Sequence, residues 1–186
     1  MTAAVAAVVL AAGEASRYGA PKQLLLLPDV LASLAGAPVD EVVVVEGAYP
    51  LPPCGDRLPG LPCRVVRCTE WELGPGASLR CGLAALGGDV EAAVVVLADG
   101  PELAAESVAR VVGDWRANGG AIVAASYGGV RGHPLLVTRE AWGSVPDEGL
   151  RALTPRLVAC DDLGAPGDVD RPEDLPARLR QASGGT

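Results

Sequence analysis

The chain has 186 residues, carries a net charge of −8 and is 49% hydrophobic. This length fits one α/β domain, so we expect a single domain over residues 1–186. The acidic balance argues against a nucleic-acid or anionic-membrane surface, because either would need a basic face. It does not exclude a phosphate ligand, since backbone N–H groups, a lysine, an arginine and a divalent ion can bind a polyphosphate locally.

Five short apolar runs resemble buried strands, because they are continuous rather than alternating with polar residues. They lie at 4–10, 41–45, 64–66, 92–98 and 121–126. Helical patterns follow several of them, at 77–87, 101–118 and about 172–180. This alternation predicts an α/β fold with right-handed crossovers: a three-layer, doubly wound, mostly parallel sheet. Ligands of such sheets bind outside the carboxyl ends of the strands.

The cysteines and the N-terminus bear on the cellular compartment. The chain has five cysteines, an odd number without C-x-x-C spacing, which we interpret as reduced structural thiols. The apolar N-terminal run has no Lys or Arg before it and leads into a glycine loop, which favours a buried strand over a signal peptide. No apolar stretch reaches the roughly 18 residues of a membrane span. We therefore expect a cytoplasmic protein without a membrane partner.

The segment 10–25, LAAGEASRYGAPKQLL, has the composition of a phosphate-binding loop. Gly13 and Gly19 permit a tight turn whose N–H groups can bind an anion. Arg17 and Lys22 add two cations beside that turn. The alternative is an ordinary strand–loop connection with solvated charges. The pattern is neither a Walker loop nor a G-x-G-x-x-G fingerprint.

Written as L-A-A-G-x-x-x-R-x-G-x-x-K-x-L, this segment resembles the signature of the nucleotidyltransferases related to molybdenum-cofactor guanylyl- and cytidylyltransferases. Five further segments resemble that family in the same order: 74–83, 99–101, 132–134, 147–151 and 168–175. The resemblance implies a Rossmann-like nucleotidyltransferase fold. It also implies an enzyme that transfers NMP from an NTP to a phosphorylated acceptor and releases pyrophosphate.

A carboxylate directly after a central strand is well placed for Mg²⁺, which prefers oxygen ligands. Asp99 occupies that position, although it could instead cap the following helix. The resemblance favours metal binding by Asp99 and adds Asp170 as the second carboxylate. Asp170 could likewise cap the helix that opens at Pro172, and Asp168 is its nearest competitor for the metal.

The resemblance also assigns roles around the substrates. Catalysis would involve Asp99 together with Arg17, which would stabilise the leaving phosphates, and Lys22, which would stabilise charge on the α-phosphate. Ser78 would lie near the base and ribose, or would merely cap a helix. The nucleotide-binding set is Leu10, Ala11, Ala12, Gly13, Arg17, Gly19, Lys22, Gly76 and Ser78. His133, which is placed in a loop between extended runs, and Arg151 are assigned to the acceptor pocket.

The identities of the two substrates rest on smaller details. The L-A-A-G spelling and the terminal D-x-D-x-P-E-D favour CTP over GTP, and molybdopterin is the favoured acceptor. Guanylyl transfer and a sugar-phosphate acceptor stay open. A non-catalytic chaperone that hands cofactor to a molybdenum enzyme, through transient contact with it, is an alternative of another class. The segment 28–40 is shorter than in the family, which predicts a shortened first crossover.

Overall fold

The computed structural model describes residues 3–14, 18 and 21–182. The main elements follow one another as strands that alternate with helices. They are β1 Ala4–Ala11, α1 Lys22–Ala35, β2 Glu41–Glu46, β3 Cys63–Arg67, α2 Pro75–Ala84, β4 Val90–Leu97, α3 Ala105–Asn118, β5 Ile122–Tyr127, β6 Val130–Thr138, β7 Arg156–Ala159 and α4 Ala177–Ala182. Short 3-10 turns lie between them, including Trp71–Leu73, Gly149–Ala152 and Pro172–Asp174.

The strands form one seven-stranded sheet in the order β3-β2-β1-β4-β6-β5-β7. Strand β6 runs antiparallel to both of its neighbours, whereas all other pairs are parallel. The doubly wound, mostly parallel sheet is therefore confirmed. Strand β1 lies between β2 and β4, and residues 5–9 within it are fully buried, as a strand covered on both faces requires.

Two apolar clusters cover the two faces of the sheet. On one face, α1 and α3 pack against the side of β1 that carries Ala7 and Val9. On the other face, α2 packs against the side that carries Ala6 and Val8. Helix α2 approaches closely because Gly82 lacks a side chain, and a Cβ there would lie 2.5 Å from Val8 Cγ1. This arrangement gives the three predicted layers.

The last part of the sheet differs from the sequence prediction. Strands β6 and β7 were not predicted, and His133, expected in a loop, lies within β6. Gly128 and Gly129 make the tight β5–β6 turn possible with φ angles of +60° and +77°, which L-residues rarely adopt. The chain therefore returns along β4 with a polar, proline-containing stretch that resembles a loop in sequence.

The first crossover contains a full helix, although the sequence analysis expected only a short segment at 28–40. Helix α1 has 14 residues and continues through Pro28. Pro28 removes one backbone hydrogen bond from the helix interior, which ordinarily ends or kinks a helix. Burial of Leu27, Val30, Leu31 and Leu34 against the sheet offsets that loss.

Helix boundaries and cysteine pairing also differ from expectation. Helix α3 begins at Ala105 rather than at residue 101, and the predicted terminal helix is a 3-10 turn followed by α4. Four of the five cysteines form disulfides, Cys54–Cys63 and Cys68–Cys81, so the interpretation of reduced thiols is wrong for them. Cys160 is free and buried.

In the described part of the chain, none of the helices combines the length and apolarity that crossing a membrane requires.

Candidate active site

A cavity of about 500 Å³ opens at the carboxyl ends of β1 and β4. Residues 10–13, at the end of β1, form one wall, as predicted for the nucleotide-binding loop. The side chain of Gln23 fixes this turn, because its amide nitrogen donates to the Gly13 carbonyl at 2.6 Å. Arg17 and Gly19 lie outside the described residues, so their assigned roles stay predictions.

Lys22, the first residue of α1, connects three segments of this cavity. Its side chain is buried, and its Nζ lies 2.8 Å from Asp99 Oδ2 and 3.7 Å from Asp170 Oδ1. The same ammonium group donates to the Val169 carbonyl at 2.5 Å. The structure thus brings together Lys22, Asp99 and Asp170 from parts of the chain far apart in sequence.

A backbone hydrogen bond brings the C-terminal carboxylates to the end of β4. The Val169 N–H donates to the Asp99 carbonyl at 3.2 Å. Neither predicted metal ligand caps a helix: the N-cap of α3 is Ala104, and that of the Pro172–Asp174 turn is Arg171. The capping alternative is therefore wrong for both Asp99 and Asp170, whose carboxylates line the cavity and contact Lys22 instead.

Asp99, Asp168 and Asp170 are among the residues whose carboxylates line this cavity. Partial burial and then the charges of Asp99 and Asp170 raise the pKa of Asp168, while Lys22 and Arg151 oppose that rise. Several carboxylate oxygens in one cavity are suitable ligands for a hard divalent cation. Among the described residues, no three His, Cys, Asp or Glu side chains are grouped to bind a metal alone. Water and phosphate oxygens would therefore complete the coordination of a bound ion.

A second cavity, of about 520 Å³, adjoins the first. The two share a wall made by Leu10, Pro75, Leu97, Arg151 and Asp168. Beyond that wall, the second cavity is lined by β6 and by the segments 148–151 and 165–168. A molecule bound in the first cavity and another bound in the second would meet at the shared wall.

His133 and Arg151, both assigned to the acceptor, line this second cavity. Burial is the main cause that lowers the pKa of His133 to about 4; the charge of Asp99 opposes it, and the charges of Arg131 and Arg151 add to it. The imidazole is therefore neutral at physiological pH. The Tyr127 hydroxyl donates to the His133 carbonyl at 2.9 Å and fixes this part of β6.

The turn that carries Arg151 depends on a residue that the sequence analysis missed. The Arg131 guanidinium donates to the carbonyls of Leu150, Arg151 and Leu153 at 2.8–3.2 Å. These bonds hold the Gly149–Ala152 turn against β6. Position 131 gave no signal in the sequence, because three backbone acceptors in one turn are recognisable only in the folded chain.

The two candidates on α2 have different surroundings. Ser78 is buried and lines the first cavity, and its side chain does not cap α2, whose N-cap is Gly74. Gly76 is not among the cavity-lining residues. A Cβ on Gly76 would lie 1.9 Å from the Pro146 carbonyl oxygen, so this glycine permits close packing of α2 on the segment 146–147.

Trp71 and Glu72 also line the first cavity, and the sequence analysis did not single them out. They belong to the 3-10 turn Trp71–Leu73, directly before the Gly74 segment that resembles the family. A tryptophan in a chain with only three of them was the available signal.

The fold and this site define an α/β nucleotide-binding protein, in which a glycine turn, a lysine and carboxylates surround a cavity at the carboxyl edge of the sheet. The model of the MobA-like NTP transferase domain matches residues 7–158. The chain therefore belongs to this family of nucleotidyltransferases. No curated protein sequence matches it significantly.

Solved structures of mycobacterial proteins resemble the chain over nearly its whole length. Rv0371c from Mycobacterium tuberculosis H37Rv is 26% identical, with a TM-score of 0.75 and coverage of 96% of this chain and 100% of that one. Its homologue from Mycobacterium sp. strain JC1 is 28% identical, with a TM-score of 0.73 and 96% coverage of both chains. Rv0371c has also been solved in complex with manganese; that structure is 25% identical, with a TM-score of 0.70 and coverage of 96% and 99%.

Proposed function

We propose that this nucleotidyltransferase transfers CMP from CTP to a phosphorylated small molecule, with molybdopterin the favoured acceptor, and releases pyrophosphate in a Mg²⁺-dependent reaction. The observation that carries the proposal is the contact of Lys22 with Asp99 and Asp170 beside the glycine turn of β1. A cation and anionic oxygens at one end of a nucleotide-sized cavity are what a triphosphate and its metal require.

Catalysis in this scheme is alignment and charge neutralisation. The backbone of residues 11–13 holds the phosphates, and the Lys22 ammonium neutralises charge on the α-phosphate. Arg17 is assigned to the leaving β- and γ-phosphates. Asp99 and Asp170 would hold the divalent ion, which supplies Lewis-acid neutralisation of phosphate oxygens. The manganese complex of the Mycobacterium tuberculosis relative supports a divalent ion here.

The acceptor occupies the second cavity, and its phosphate lies against the shared wall at Arg151. A phosphate nucleophile is already ionised at neutral pH and needs no general base. This fits the lowered pKa of His133, which leaves a neutral imidazole suited to hydrogen bonding with the acceptor. The apolar side chains of Leu79, Val95 and Leu135 line the second cavity and suit a ring system better than a polyhydroxylated sugar. This lining supports molybdopterin over a sugar phosphate as the acceptor.

CTP is favoured over GTP because the turn has Ala11-Ala12 in its L-A-A-G motif. A cytoplasmic location belongs to the proposal, because the NTP supply is there. Thiol reductants of that compartment would act on both cysteine pairs. A non-catalytic chaperone would not need the buried contact between Lys22 and Asp99, so this contact favours the enzyme.

The test is pyrophosphate release by the purified protein with each NTP, Mg²⁺ and a panel of phosphorylated acceptors that includes molybdopterin and sugar phosphates. We expect turnover with CTP and molybdopterin. Lys22→Met and Asp99→Asn should each lower it by at least about 100-fold, because each removes a group that stabilises the developing negative charge, Lys22 directly and Asp99 through the divalent ion. Asp162→Asn, which alters the exposed ion pair with Arg110, is the matched control and should retain activity.

Near-normal turnover of Lys22→Met or Asp99→Asn, with unchanged circular dichroism, would refute the site assignment. A preference for GTP or for a sugar phosphate would instead correct the substrate and leave the site in place. If the protein releases no pyrophosphate but copurifies with an apo-molybdenum enzyme in a pulldown, the chaperone alternative replaces the enzyme.

A further inference from the structure

The first cavity extends along the edge of the sheet to the side of β2 and β3. In the sheet order, β3 and β2 lie on one side of β1, while β4 lies on the other. The turn Trp71–Leu73 follows β3, whereas Asp99 follows β4. In the proposed nucleotide site, a base on the β2–β3 side of phosphates bound at Lys22 and Asp99 would face Trp71 and Glu72.

Trp71 is held firmly at this end of the cavity. Its side chain packs on the backbone at Gly47, where an added Cβ would lie 2.6 Å from the indole Cγ and 2.7 Å from the Ala12 carbonyl oxygen. The Ala48 N–H donates to that same Ala12 carbonyl at 3.0 Å. The indole is thus placed directly beside the turn of β1 and offers an apolar surface to a planar ring.

Glu72 presents a carboxylate to the same space. It is exposed, lines the cavity, and makes no hydrogen bond or ion pair within the described residues. The nearby Glu46 is different, because its carboxylate already binds Arg67 and the Leu51 N–H. An ionised carboxylate can only accept hydrogen bonds. A base that faces Glu72 must therefore present a donor.

We propose that Glu72 determines the base specificity of the nucleotide site: its carboxylate accepts a hydrogen bond from the exocyclic amine of the base, while Trp71 packs beside the ring. This inference rests on the proposed nucleotide site but not on the choice of acceptor. Cytosine, guanine and adenine carry such an amine. Uracil presents a carbonyl oxygen at the position of the cytosine amine, and two acceptors facing each other repel, so UTP is rejected.

The experiment is equilibrium binding of CTP and UTP, each with Mg²⁺, by isothermal titration calorimetry. Wild type should bind CTP at least about tenfold more tightly than UTP, the discrimination expected of one hydrogen bond to a charged group. Glu72→Gln, whose side chain can donate as well as accept, should bring the two affinities within about threefold. Glu70→Gln is the matched control, because Glu70 directly precedes the Trp71–Leu73 turn and is exposed but is not among the lining residues.

An independent readout is tryptophan fluorescence. CTP should change the emission of wild type, and Trp71→Phe should remove that change while Trp115→Phe, at a residue outside the first cavity, should keep it. An unchanged CTP-to-UTP ratio in Glu72→Gln, with CTP still bound and turned over, would overturn this inference alone. Absence of NTP binding by wild type would overturn the proposed function and this inference together.

Discussion

The ammonium group of Lys22 lies 2.8 Å from Asp99 Oδ2, although 77 positions separate the two residues in the chain. Only 8% of the lysine side chain and 24% of the aspartate side chain are exposed, so this ion pair is largely shielded from water. Removal of either partner would be destabilising, because it would leave the charge of the other partner buried and uncompensated. Substrate phosphates therefore enter a site whose charges are already positioned.

Lys22 is the only lysine in the sequence, because the other basic residues are arginines. Acylation with an amine-reactive ester should therefore modify the N-terminal amine and Lys22 alone. We expect modification of Lys22 to abolish activity, because the modified side chain loses its charge. CTP with Mg²⁺ should slow the modification, because in the proposed site the triphosphate contacts the ammonium group. Peptide mass spectrometry against residual pyrophosphate release measures both. Full activity after complete modification of Lys22 would contradict its assigned role, and Lys22→Met gives the background for the N-terminal amine.

Asp168 should oppose folding in the absence of metal. Partial burial and the neighbouring carboxylates raise its folded-state pKa, so its ionised form destabilises the native state above the unfolded pKa, and that loss is relieved as the pH falls. Asp168→Asn should therefore raise the melting temperature at pH 7.5 in EDTA. Mg²⁺ should raise the melting temperature of wild type more than that of Asp168→Asn. A lower melting temperature for the variant in EDTA would show that the carboxylate supports the fold.

His133 should make the fold sensitive to mild acid. Its folded-state pKa of about 4 lies below the ordinary value of 6.5, so the unfolded state binds a proton first as the pH falls. Stability is full above pH 6.5 and is lost from there toward pH 4. Between pH 7.5 and 5.5 the loss should be about 1 kcal/mol.

Urea unfolding at those two pH values measures this loss. His133 is the only histidine in the sequence, so His133→Gln should remove most of the difference. An equal loss of stability in His133→Gln would attribute the pH dependence to carboxylates instead, and Asp168→Asn would then identify the contribution of that group.

Gly76 should tolerate no side chain. A Cβ would lie 1.9 Å from the Pro146 carbonyl oxygen and 2.8 Å from that of Asp147, so Gly76→Ala must displace α2 or the segment 146–147. We expect a loss of about 1–3 kcal/mol in the free energy of unfolding. Gly113→Ala is the matched control: this α3 glycine has nothing within 4 Å of an added Cβ, and the change should add about 0.5–1 kcal/mol.

The sequence predicts the centre of the sheet better than its flank. Strands β1 and β4 are continuous apolar runs because both of their faces are covered, and this burial leaves a direct mark in composition. Strand β6 instead begins with Val130 and continues through Arg131, Gly132, His133 and Pro134, a stretch that resembles a turn. Its strand conformation comes from pairing with β4 and β5, which no local pattern reveals.

The candidate site follows the same division. Lys22 and Asp99 could be proposed because Lys22 follows the glycine loop after the first strand and Asp99 directly follows a central strand, whereas Asp170 was proposed from the family resemblance. The contribution of Arg131 and the pairing of Cys68 with Cys81 depend on elements that come together only in the folded chain. Helix α1 was not predicted, because Pro28 is locally unfavourable in a helix that tertiary packing stabilises.

The two cavities share only the residues of one wall, and different parts of the chain line the rest of each cavity. The cavity proposed for the nucleotide is lined by the end of β1, the start of α1 and the segment 71–78, while the cavity proposed for the acceptor is lined largely by β6 and the segments 148–151 and 165–168. In the proposed scheme, mutations in the β5–β6 hairpin that leave Arg131 in place would change the acceptor side without altering Lys22 or Asp99. A chimera that carries the β5–β6 hairpin of a relative is therefore expected to change the acceptor of the proposed reaction and to keep this chain's nucleotide.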